Sequence, residues 1–199
     1  MVRHGLKPRA PERLIQECGK GLVALRLDAD RIFFQLPASV YREASAEQVA
    51  AAADALGIVG ADVMRAAVVD VGPVWFTMQL AEARAVLELR PDLQKLTAFS
   101  QPHLAGVTVF GPHPHGSPAD YEVRSFAPAH GVPEDPVCGS GNGCVASMLR
   151  RGPAAGLDQY VASQGQCLGR NGRVYVQYDG DSIWIGGQAV TCIEGTLSV

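Results

Sequence analysis

Residues Arg124–Gly143, RSFAPAHGVPEDPVCGSGNG, run straight into CVASMLRRGP. This stretch gathers two carboxylates (Glu134, Asp135), a thiol (Cys138), a hydroxyl (Ser140) and glycines at 131, 139, 141 and 143 ahead of an apolar segment. Glycine lets the backbone approach a ligand closely, and the first N–H groups of a helix have no internal acceptor. Those donors and the helix dipole favour an anion such as a carboxylate. A thiol or carboxylate beside them is placed to move a proton on the bound molecule. The pattern predicts an active-site loop feeding a helix from about Cys144 to Arg151, stopped by Gly152–Pro153. A plain Asp135–Pro136 turn is the bland alternative, but it does not require Cys138 and Ser140 together.

Working outward, the chain alternates between strand-like and helix-like stretches. Leu22–Leu27 and Ile32–Leu36 flank the polar turn Asp28–Asp30 and predict a hairpin. Ser45 with Gln48 has the spacing of a capping box, and Gly57 closes that helix after Leu56. Strands are predicted at Ala66–Val71, Val74–Leu80, Gly106–Phe110, Tyr121–Phe126, Arg173–Tyr178 and Ser182–Ile185, the last two joined by an Asp179–Gly180–Asp181 turn. Arg90–Asp92 opens a short helix, and Gln188–Ile193 and Thr196–Val199 are read as finishing the sheet. Many strands with a few helices predict an α+β fold with antiparallel or mixed pairing.

The 199 residues make one large domain or two small ones, with 47% hydrophobic and 19% charged residues. A net charge of −3 with no basic patch argues against nucleic acid and an anionic membrane. No signal pattern or spanning apolar run is present. Five scattered cysteines without a C-x-x-C pair predict a reducing, cytoplasmic setting. Cys18, Cys144, Cys167 and Cys192 read as small core residues, and Trp75 and Trp184 as core aromatics. His113 and His115 lack companion ligands at metal-site spacing, so no metal is expected. His130 is the better functional histidine, and Arg170 is a candidate for a substrate carboxylate.

The run R-x-F-x-P-x-x-G-V-x-E-D-P-x-C-G-S from Arg124 to Ser140 resembles the PhzF family of phenazine biosynthesis-like proteins. Gln16–Gly19, Pro91–Leu93, Gln164–Gly165 with Gly169–Arg170, and Gly186–Val190 extend the resemblance along the chain. It implies the diaminopimelate-epimerase-like fold, two lobes that each curl a sheet around a central helix, with the active site between them. It also implies an isomerase without metal or organic cofactor, a homodimer, and a small carboxylate as substrate. Asp135 would be the acidic cleft residue, while Gly139, Ser140, Gly141, Asn142 and His130 would surround the substrate.

Two departures shape the expectation. The family's opening segment, with its catalytic glutamate, has no counterpart, and Met1–Gly5 matches the helix end that follows it. Residues 1–44 are therefore expected to be a remnant of the first lobe, joined by 191–199, and 45–190 the second lobe. No glutamate role passes to Glu12, Glu17 or Glu43, and activity without that segment is left open. Second, Cys138 stands where threonine is usual, resembling the thiol loop of cysteine-dependent epimerases and racemases. On that alternative, Cys138 is a catalytic base whose pKa the helix dipole lowers. A non-catalytic relative that binds a small anion or a partner protein is the competing class.

Overall fold

The computed structural model describes residues 10, 13–19, 21–28, 30–58, 63–152 and 156–196. The capping box forms as its spacing requires: Ser45 Oγ accepts from the Gln48 amide at 3.2 Å, and Gln48 Oε1 from the Ser45 amide at 3.0 Å. Helix α1 (Ala46–Leu56) then ends at Gly57, whose left-handed φ of 71° suits glycine. Asp92 caps α3 (Leu93–Ser100) through the Gln94 and Lys95 amides. A short α2 (Ala83–Glu88) precedes it, too brief to leave a periodic signal.

Among the described residues twelve strands join in one sheet. They are β1 (Arg13–Cys18), β2 (Gly21–Asp28), β3 (Arg31–Gln35), β4 (Val40–Glu43), β5 (Val63–Asp70) and β6 (Val74–Leu80). The rest are β7 (Gly106–Pro112), β8 (Tyr121–Ala127), β9 (Val132–Asp135), β10 (Gln159–Gln164), β11 (Gly172–Asp179) and β12 (Ser182–Gly187). Their order is β1-β2-β3-β12-β11-β10-β8-β7-β6-β5-β4, with β9 alongside β8. Among the described residues only β6–β7 and β8–β10 pair in parallel, and each of those connections carries helices. The expected hairpins across Asp28–Arg31 and Asp179–Ser182 are present. One expectation fails: the chain leaves the sheet at Gly187, and 188–196 form no strand, while 197–199 lie outside the described residues.

The period of two along each strand divides the core. Ala67, Val69, Trp75, Phe110 and Val123 face inward with Cys144, Val145, Met148 and Leu149 of α4 (Gly139–Arg150). Ala66, Val68, Phe76, Met78, Val107, Val109 and Phe126 face outward onto α1–α3. Both halves of the sheet, β5–β7 and β11–β12, pack on α4, so the sheet curls around that helix. Residues Gly141–Leu149 are all buried, as a helix enclosed on every side requires.

The central helix begins earlier than its composition suggests, at Gly139 rather than about Cys144. Glycine is a poor helix former, but here close packing selects it. A Cβ on Gly141 would lie 2.6 Å from Ser125 Oγ and 2.7 Å from Thr108 Oγ1.

The β2–β3 hairpin is tied on through β12, where Gly186 stands opposite Phe33. Phe33 is fully buried, and a Cβ on Gly186 would fall 2.3 Å from its ring. Gly186→Ala should therefore lower stability by about 1–3 kcal/mol through overpacking, read as a shifted urea midpoint. An unchanged midpoint would contradict this close approach.

Candidate functional site

The loop before α4 is built by three neighbouring strands. Strand β9 runs antiparallel to β8, placing Asp135 beside Ser125. A buried ion pair fixes it there: Arg124 meets Glu134 through two bonds of 2.9 and 2.8 Å. The same guanidinium donates to the Val86 and Leu89 carbonyls at the end of α2. Such a bidentate pair sets geometry as well as energy.

From β10, Gln164 reaches across to hold the loop. Its Nε2 donates to the Asp135 carbonyl at 2.8 Å, and its Oε1 accepts from the Cys138 amide at 3.1 Å and from Asn142 Nδ2 at 2.8 Å. Gln164 is 1% exposed. The next residue, Gly165, has φ +90°, and a Cβ there would sit 2.6 Å from the Pro136 carbonyl oxygen. The Gln-Gly pair is thus a clamp followed by the only kind of residue that fits.

Cys138 is the N-cap of α4, and its Sγ accepts from the Gly141 amide at 3.2 Å. This is the capping task a threonine or serine hydroxyl would perform. Burial pushes its thiol above the ordinary range, and the charge of Asp135 adds to that rise. The Gly141 amide and Ser140 oppose it without prevailing. The expectation of a dipole-lowered thiol is therefore reversed: desolvation outweighs the helix N-terminus.

Ser140 Oγ accepts from Trp75 Nε1 at 3.0 Å and lies 3.7 Å from Cys138 Sγ. Asn142 is fully buried and its Nδ2 also donates to the Cys138 carbonyl at 2.9 Å. The amide of Gly141 goes to the cap and that of Asn142 to the Cys138 carbonyl. The helix's own geometry leaves the amides of Gly139 and Ser140 without an internal acceptor.

Beside this end of α4 lies a cavity of about 510 Å³. Phe34, Val137, Gly139, Arg173, Gly186 and Gln188 are among its walls. It combines apolar surface with one guanidinium and a helix start, which suits a small molecule carrying an anionic group.

The sequence-predicted residues separate in space. Asp135, Cys138, Gly139, Ser140, Gly141 and Asn142 come together, with Gly139 on the cavity wall. Asp135 is half-buried; its Oδ1 accepts from the Val137 amide at 3.0 Å. His130 is exposed in a turn at the opposite end of β9 and is not among Asp135's partners in the described residues. Cys144 is buried as expected, but Cys18, Cys167 and Cys192 are exposed, because each lies at a strand end or in a turn or coil. Trp75 is core as expected and also orients Ser140, a pairing no local pattern signals. The clamp role of Gln164 was likewise hidden; only the following glycine hinted at it. Among the described residues no helix is long and apolar enough to cross a membrane, and no three His, Cys, Asp or Glu gather as for a metal.

The family model described as phenazine biosynthesis-like protein, PhzC-PhzF, matches residues 5–195. Antisense-enhancing sequence 1 of Schizosaccharomyces pombe is 36% identical over 198 residues, covering 92% of this chain and 66% of that protein. An uncharacterized isomerase of the same yeast is 36% identical over 141 residues, covering 66% of this chain and 75% of its own. Among solved structures, a Bacillus anthracis PhzF-family protein superposes with a TM-score of 0.75 at 18% identity, over 94% of this chain and 68% of that one. A predicted epimerase from Pseudomonas aeruginosa gives 0.73 at 23% identity, over 94% and 67%. The fold is the expected diaminopimelate-epimerase-like α+β fold. The chain spans about two thirds of the length of the first yeast relative and of these structures.

Two outcomes follow from this geometry. Gln164→Leu removes the partner of buried donors at Cys138 and Asn142, so it should cost about 2 kcal/mol or more in urea unfolding and speed alkylation of Cys138. The raised Cys138 pKa sets the sign of a pH effect. The unfolded thiol ionises near pH 9 while the buried one keeps its proton, so this stabilisation is complete below that pH and is lost above it. Cys138→Ser should retain the cap and show a shallower loss of stability between pH 7 and about pH 10. An unchanged slope would place the thiol in water.

Proposed function

The chain belongs to the PhzC-PhzF family of phenazine biosynthesis-like proteins, and on that premise we propose that it moves a proton on a small carboxylated metabolite. The observation carrying this reading is the cavity at the start of α4, with Gly139 and Arg173 on its wall and the Asp135–Cys138 segment clamped beside it. The substrate carboxylate sits at the free amides of the first turn, where the helix dipole and Arg173 favour negative charge. Asp135 is the acid/base, and Ser140, held by Trp75, is a hydrogen-bonding neighbour of the substrate. Gly141 and Asn142 shape the helix start, and His130 remains a residue that would approach substrate only from the far end of β9.

Cys138 serves as the cap in this reading. Its buried, proton-retaining thiol is a poor base at neutral pH, which favours the carboxylate over the cysteine-dependent alternative. Side-chain proton transfer of this kind requires no cofactor. Division of the chain into a first-lobe portion, residues 1–44 with 191–199, and a second lobe, residues 45–190, belongs to the same proposal, as do a homodimer and a cytoplasmic setting. Five free cysteines suit a reducing compartment.

The test is solvent exchange. Small amino and hydroxy acids incubated with the protein in D2O should gain deuterium at the carbon next to the carboxylate. Asp135→Asn should slow that gain by about 100-fold or more, while Cys138→Ser keeps it within about tenfold. Loss of exchange in the serine variant alone would transfer the role to the thiol. No exchange with any acid would leave a binding protein.

A further inference from the structure

A second polar pocket lies where β8, β10 and β11 meet the chain that follows β7. Parallel pairing of β8 with β10 sets Ser163 beside Glu122, and antiparallel pairing of β10 with β11 sets Ser163 beside Arg173. Three adjacent strands thus carry a glutamate, a serine and an arginine in one row. The chain leaving β7 folds back, with the His113 amide donating to the Asp120 carbonyl, and brings His113 Nε2 to 2.9 Å from Ser163 Oγ and 3.3 Å from Glu122 Oε2. Ser163 Oγ also bonds Glu122 Oε2.

Glu122 is fully buried, and its Oε1 has no hydrogen-bond partner. Burying a carboxylate with one oxygen unsatisfied is costly, and the core facing α4 has no need of it. Above this row is a cavity of about 260 Å³, walled by His113, Ser163, Gln166, Arg170 and Arg173. The Arg173 guanidinium donates only to its neighbouring Gly172 carbonyl, and Arg170 has no side-chain partner among the described residues. One end of the cavity is therefore cationic, and its floor is backed by a buried carboxylate. A plain cation would be repelled by that rim, while Ser163, which donates to Glu122, keeps lone pairs at the floor for an ammonium group.

We propose that this cavity is a second ligand site that takes a small zwitterion of the amino-acid kind, its carboxylate between Arg170 and Arg173 and its ammonium over Ser163 toward Glu122. Asn171 and Arg173 also line the cavity at Gly139, so the two sites share a wall and compete for the one Arg173 guanidinium.

Glycine is the probe, followed by the imidazole proton resonances, with His113 assigned from a His113→Gln variant. A saturable shift at His113 is expected with glycine, and acetate or methylammonium alone should bind roughly tenfold or more weakly. Arg170→Ala, an exposed change that leaves the melting temperature alone, should weaken glycine by roughly tenfold. Asp135→Asn should leave the titration unchanged, which separates this site from the one at Gly139. A flat response at His113, acetate binding as well as glycine, an indifferent Arg170→Ala variant, or loss of the shift in Asp135→Asn would each overturn the proposal.

Discussion

One buried amide holds the start of the central helix in place. Gln164 on β10 accepts from the Cys138 amide and from Asn142, and donates to the Asp135 carbonyl. It joins the end of β9, the helix cap and the first helical turn. Each of those groups is withdrawn from water, so a missing bond would leave a donor or acceptor with nothing to pair. The carboxyl at 135 and the amides at 139 and 140 therefore have a fixed relation to one another, which the proposed acid–base chemistry on a bound carboxylate would demand.

That arrangement depends in turn on α4 being enclosed. A helix wrapped by a curled sheet must offer small residues where strands come closest, and Gly141 meets Thr108 and Ser125 while Gly143 meets Leu36. The Arg124–Glu134 pair holds β9 from the other side and ties it to α2. Enclosure also explains the cysteine. The same burial that lets its sulfur cap the helix raises its proton affinity, so position and chemistry come from one cause.

Much of this was legible in residue order. The Arg124–Gly143 stretch marked the lead into the central helix, the capping box marked α1, and the alternation of Val74–Leu80 and Tyr121–Phe126 marked strands of the central sheet. What escaped had physical reasons. Strands β4, β9 and β10 are short or polar, so no period of two stands out. The glycines at 139, 141 and 143 look like a loop because local propensity opposes a helix there, and tertiary packing overrides it. The contacts of Trp75 with Ser140 and of Gln164 with Cys138 join residues far apart in the chain. No local pattern encodes such pairs. The direction of the thiol's pKa required burial, which the dipole argument alone does not supply.

The most direct measurement of the central claim is the amide spectrum of the 15N-labelled protein during titration with benzoate. The resonances of Gly139 and Ser140 should move together with the Arg173 side-chain signal, along one saturable curve. Movement elsewhere with those two amides unmoved would mean that the helix start does not hold the carboxylate.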